Sequence, residues 1–244
     1  MSARAFNTPS SNGDRFMQMT VAEALGTLTD VEEKNAPKTL FFRGNRELLS
    51  HGPRVSVVGS RKASAEGLKR ARSLSRALVD HHIVVVSGLA EGIDTAAHTS
   101  ALEAGGETIA VIGTPLDKYY PSANKELQMR LAHEQLVVSQ FPTGTPITPK
   151  SFPIRNRTMA LLTDATVIVE AGENSGTLHQ GWETLRLGRT LFLMESVATD
   201  PTLSWPREMI KFGAQVLTRE NLSEELVDLP LLASRNTDAI FELM

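Results

Sequence analysis

From residue 54 onward the chain alternates between apolar runs of strand length and stretches whose apolar positions recur at helical spacing. This is the pattern of βαβ units around a mainly parallel sheet. The runs predict strands at Val55–Val58, Ile83–Val86, Thr108–Ile112, Leu136–Val138, Thr166–Val169 and Thr190–Leu193. Between the first two, Leu68, Ala71, Leu74 or Ser75, and Leu78 share one helical face, while Lys69, Arg70, Arg72 and Arg76 point elsewhere. Such a helix lays one side on the sheet. Near-continuous runs such as "IVVV" and "VIVE" belong to strands covered on both faces, so the expected fold class is α/β, with helices above and below the sheet.

Upstream the pattern differs. Residues 1–16 are rich in Ser, Asn, Pro and Gly and are expected to form a flexible tail, because they bury too little apolar area to offset their ordering entropy. "TVAE" matches a capping box, with Thr20 capping a short helix and Glu23 reaching back to it. "TLFFRGNRELL" reads as a short strand leading into a helical turn, and residues 17–50 form a lead-in to a main domain at 51–228, followed by a C-terminal tail at 229–244.

The composition, 41% hydrophobic and 22% charged over 244 residues, is that of an ordinary globular chain. A net charge of −3 argues against an all-basic surface but says nothing of a local patch. With no cysteine, disulfides, cysteine-ligated zinc and thiol catalysis are excluded. There is no signal-peptide core and no run of about 18 apolar residues, so no membrane span and a cytoplasmic location are expected.

Open α/β sheets bind ligands beyond the carboxyl ends of their strands. The loops there are "GSRK" (59–62), "SGLAEGID" (87–94), "GTPLDKYYP" (113–121), "SQFPTGTPITPKSFPIRNR" (139–157) and "EAGENSGT" (170–177). Gly59-Ser60-Arg61-Lys62 is not the G-x-G-x-x-G of dinucleotide folds, no acid follows the second strand, and no P-loop run occurs. What remains is a set of small-residue loops with N–H groups at helix starts, joined to cations at Arg61, Lys62, Lys150, Arg155 and Arg157. That set suits a chain of phosphates. Phe152 offers a stacking face or, equally, a plug beneath the loop. The Lys69, Arg70, Arg72 and Arg76 face reads as ordinary exposed helix surface. His81 and His82 suit a helix C-terminus, His98 and His179 lack carboxylates at ligand spacing, and neither a metal nor a cofactor is expected.

"VSVVGSRKAS", "VVVSGLAEGIDTAAHTSALEAGGETIAVIGTPLDKYYPSANKEL" and "FPTGTPITPKSFPIRNRTMALLTDATVIVEAGENSGTL" resemble the DprA/Smf family of DNA-processing proteins, in the family's order and from about Leu40 to Met194. The resemblance implies an extended Rossmann-type fold that binds single-stranded DNA, forms homodimers and helps load a RecA-type recombinase. It also implies DNA contacts from Gly59, Ser60, Arg61 and the adjoining Lys62, from Ser87 and Gly88, from Lys150, Phe152, Arg155, Asn156 and Arg157, and from Ser175 and Gly176. Tyr119, Tyr120 and Pro121 resemble a family loop near the pocket. The helical domain that precedes the core in typical members is expected here only as a short segment, and no winged-helix domain of the kind that often follows is expected.

Two other readings stand beside this one. In the related nucleotide phosphoribohydrolases a Glu is catalytic, but Gln180 occupies that position here, and glutamine cannot serve as a carboxylate base. A nucleotide or nucleotide-signal sensor, in a defence or mobile-element system, would use the same phosphate-binding loops without turnover.

Overall fold

The computed structural model describes residues 16–50 and 52–230. The two expected tails lie largely outside the described residues, at 1–15 and 231–244. Their inner ends are core-facing: Phe16 packs on Leu89, Ile112 and their neighbours, and Leu229 is buried beside Leu226.

One nine-stranded sheet organises the chain. Its strands are β1 (Met17–Met19), β2 (Leu40–Gly44), β3 (Arg54–Gly59), β4 (Val84–Ser87), β5 (Thr108–Ile112), β6 (Leu136–Ser139), β7 (Ala165–Glu170), β8 (Thr190–Met194) and β9 (Gln215–Leu217), in the spatial order β1-β2-β6-β5-β4-β3-β7-β8-β9. From β6 across to β9 every pairing is parallel, while β2 runs antiparallel to both β6 and β1. The six predicted strands are present to within about a residue or two. The three-residue strands β1 and β9, too short to set a period, were not foreseen from the pattern.

The helices are α1 (Val21–Leu25), α2 (Asp30–Glu33), α3 (Ala65–Asp80), α4 (Ile93–Glu103), α5 (Lys125–Glu134), α6 (Ser151–Leu161), α7 (Leu178–Arg186), α8 (Glu195–Ala198), α9 (Trp205–Lys211) and α10 (Leu222–Val227). They cover both faces of the sheet, because alternate strand residues point to opposite sides. Val55 and Val57 meet Ala71, Leu74 and Leu78 of α3 and Ala97 and Ala101 of α4 on one side. Val58 and Ile168 meet Met159 and Ala160 of α6 and partly buried Leu178 of α7 on the other. The Thr20–Glu23 capping box is formed, and Thr29 and Glu32 form a second one at α2. A buried ion pair at 2.7 Å joins Glu32 to Arg189, whose Nη1 also donates to the Ala160 and Thr163 carbonyls, so the lead-in is docked on the main sheet.

The expected long loop at 139–157 is shorter than its sequence implies. Helix α6 begins at Ser151, so "SFPIRNR" is its first two turns. Pro153 fits there because the first-turn N–H groups have no intrahelical partner to lose.

Candidate functional site

The parallel strands advance from β3 to β4, β5 and β6 in one direction and through β7, β8 and β9 in the other. The chain therefore reverses its winding between β3 and β7, where α/β sheets leave a crevice beyond their carboxyl ends. A cleft of about 390 Å³ opens at that point. Its walls come from the β3 loop (Gly59, Ser60, Arg61), the start of α6 (Phe152, Arg155, Asn156) and the turn before α7 (Asn174, Ser175, Gly176, Thr177), with Asp94 and Gln180 also exposed to it.

Hydrogen bonds fix these walls to one another. Ser60 N donates to the Glu170 carbonyl at 2.7 Å, the Thr177 hydroxyl donates to the Gly59 carbonyl at 3.2 Å, and the Asn156 amide donates to the Gly176 carbonyl at 3.2 Å. Gly59 allows the approach: a Cβ there would lie 2.7 Å from the Glu170 carbonyl oxygen and from the Ile93 side chain. Two of the helix starts that the sequence offered as anion sites are already filled. Glu170 accepts from Ser64 N at 2.8 Å and from its hydroxyl at the head of α3, and Ile93 N at the head of α4 donates to the Ser60 carbonyl at 3.2 Å. The start of α7 lines the cleft with its N–H groups engaged as well: Thr177 N donates to the Ser175 hydroxyl at 3.2 Å, and Leu178 N and His179 N donate to the Ser175 and Gly176 carbonyls at 3.2 and 3.3 Å.

Phe152 is half-buried and stands at the lip. The Arg61 guanidinium lies 5.1 Å from its ring centroid and the Tyr120 ring 5.2 Å away, tilted by 38°. Beneath it Gly113 leaves room, since a Cβ there would come 2.8 Å from the ring. Phe152 is thus neither a deep core plug nor a free ring. It forms a partition between the main cleft and a smaller one of about 100 Å³ that Arg61, Gly88, Tyr120 and Arg155 also line.

Arg155 is placed differently from the solvent-facing phosphate ligand that its motif evokes. It is buried, its Nη1 donates to the Gly88 carbonyl and, at 2.7 Å, to the Val111 carbonyl, and its Nε donates to Asn156 at 2.9 Å. Gly88 is glycine because any Cβ would collide with this guanidinium. Arg155 locks the β4 and β5 ends to α6. Ser87 is likewise buried, with its hydroxyl donated to the Val57 carbonyl at 2.7 Å, and does not line the cleft. Lys62, Lys150 and Arg157 are exposed outside the cleft lining.

The sequence reading passed over Asp94. It is buried at the cleft, its oxygen accepts from Ala90 N at 3.2 Å, and burial pushes its carboxyl above the usual range while Arg155 pulls it down. Its only sequence signal, an acid in a helix's first turn, is shared by many solvated residues. Gln180 is buried too. Its amide donates to Ser56 at 2.8 Å, and its Oε1 has no partner among the described residues. His98 sits behind the β4 loop with Nδ1 at 2.8 Å from the Thr108 hydroxyl, which itself donates to Val85, and burial drops its pKa to about 3. His81 closes α3, its Nδ1 at 2.8 Å from the Ala77 carbonyl, as its position predicts.

Among proteins of known sequence, DNA processing protein DprA of Streptococcus pneumoniae is 41% identical over 184 residues, 75% of this chain and 64% of that protein. The chain thus spans under two thirds of that relative's length. The solved structure of DprA from Streptococcus pneumoniae superposes with a TM-score of 0.76 at 36% identity, covering 89% of this chain and 75% of that one. A DprA structure from Helicobacter pylori, described by its single-stranded DNA binding mode, gives a TM-score of 0.74 at 25% identity, covering 89% of this chain and 96% of that one. The family described as DNA recombination-mediator protein A matches residues 23–227, and with the switch-point cleft built from that family's motifs, the chain belongs to it.

Proposed function

We propose that the chain binds single-stranded DNA across the switch-point cleft, as a non-enzymatic DNA-processing protein acting in uptake or recombination. In this reading it works in the cytoplasm as a homodimer and delivers strands to a RecA-type recombinase. The observation that carries it is the Arg61–Phe152–Tyr120 stack at the lip of a cleft whose far wall is the small-residue turn before α7. A cation and an aromatic face are what a sequence-tolerant single-strand site uses. The DNA contacts fall to Gly59, Ser60, Arg61, Phe152, Asn156, Ser175 and Gly176 inside the cleft, with Lys62, Lys150 and Arg157 supplying charge around it. Arg155, Ser87 and Gly88 serve by holding its floor. The amide of Gln180, engaged with Ser56 where the related hydrolases carry a carboxylate, favours binding over turnover. The nearness to the Helicobacter pylori protein, whose single-strand binding is described, supports the same reading.

The test is fluorescence anisotropy of labelled oligonucleotides over a salt series. Log affinity for single strands should fall with log salt by about 0.7 per phosphate neutralised, and duplex of the same sequence should bind more weakly. No binding at low salt overturns the proposal. Tight binding of a mononucleotide without the oligonucleotide would replace it with a nucleotide sensor.

A further inference from the structure

A second groove, of about 530 Å³, lies on the same edge of the sheet as the cleft but beyond β7. Met194 and Leu217, which line it, are the last residues of β8 and β9, as Gly59 and Glu170 are of β3 and β7. One wall is a face of α3 made by Glu66, Lys69, Arg70 and Ser73, whose spacing puts them in a single row. This row is distinct from Ala71, Leu74 and Leu78, which pack on the sheet. The other wall brings in Arg219 from the turn after β9.

The sequence alone made Lys69 and Arg70 ordinary solvated residues; the fold changes their surroundings. Three cations from two elements distant in sequence converge on one groove that holds a single acid, Glu66. Among the described residues none of the three has a carboxylate in ion-pairing range, whereas Arg76 on the same helix lies 3.8 Å from Glu103. The accessible floor, from half-buried Met194 and Leu222 over the buried Leu74 and Leu217, is apolar. Helix α3 starts where the Arg61 loop ends, so its cationic row runs outward from the cleft mouth. With strands about 4.8 Å apart, the groove begins roughly 10–15 Å from the β3–β7 crevice.

We infer that this groove is an extension of the nucleic-acid path: a single DNA strand that fills the cleft continues over α3, its phosphates held by Lys69, Arg70 and Arg219 and its bases resting on the apolar floor. The inference rests on the proposed single-strand binding at the cleft and adds a second contact region to it. It predicts that affinity depends on strand length. An oligonucleotide of about 4 nucleotides reaches the cleft alone, while one of about 16 reaches both regions.

The experiment compares the two lengths on the full chain and on the Lys69→Gln/Arg219→Gln variant. The wild type should bind the longer strand more tightly. In the variant, binding of the longer strand should weaken about tenfold at moderate salt, with a salt slope shallower by about 1.4, while the shorter strand is unaffected. Lys69→Arg/Arg219→Lys, which keeps both charges, should restore the length dependence and guards against a folding defect. If the wild type binds both lengths and the variant matches it, the groove inference falls and the cleft reading survives. If the wild type binds neither, both fall. If sedimentation shows that the variant changes only the self-association of the chain, the groove is a contact between copies and the inference is overturned.

Discussion

Removing the Arg155 side chain would leave the Gly88 and Val111 carbonyls without their donor and Asp94 without the charge that offsets its burial. Breaking one partner of such a buried set costs about 3–5 kcal/mol. Arg155→Ala should therefore lower the midpoint of chemical denaturation strongly and weaken DNA binding only through loss of fold. Arg61, exposed over Phe152, is the contrasting case. Arg61→Ala should leave the denaturation midpoint nearly unchanged while the anisotropy salt slope falls by about 0.7, one phosphate contact. Both arginines stand in recognisable motifs, and nothing in residue type separates them. Only the packing of Gly88 against one guanidinium, and of the Phe152 ring beneath the other, assigns one to the scaffold and the other to the surface.

At the scale of the element, the head of α3 shows how one end of a helix can be closed to ligands. Glu170 comes from the end of β7, accepts from Ser64 N and its hydroxyl, and fits because Gly67 leaves room for its carboxylate. Glu170→Ala should cost about 1 kcal/mol, the usual worth of a helix cap, seen as a lower denaturant midpoint with an unchanged slope m. The periodicity of α3 was legible in the sequence, as was the strand before it. The capping acid was not, since it lies more than a hundred residues away. Helix α6 was missed for a different reason: the prolines and threonines before it and Pro153 within its first turn look like loop, and its apolar residues follow no helical period.

For the whole molecule, burial of His98 couples stability to pH. The folded ring has a pKa of about 3 against an ordinary 6.5. Between these values the unfolded chain takes up a proton that the folded chain refuses, so stability falls as pH drops below 6.5, by up to about 1.4 kcal/mol per unit. Melting temperatures measured from pH 7 to pH 5 should decline, and His98→Asn should flatten that decline even if it lowers the starting value. The strands, the α/β class, the capping box and the family followed from the sequence, because apolar period, helix-end chemistry and contiguous motifs are written in neighbouring residues. The sequence also named eight of the residues that line the cleft, Gly59, Arg61, Phe152 and Ser175 among them. The tertiary structure alone decided what each does there, because Arg155 in the cleft wall and Ser87 behind it give their donors to carbonyls from other strands. It alone joined Lys69 and Arg70 to Arg219, since side chains so far apart in the chain become neighbours only when β9 takes its place at the edge of the sheet.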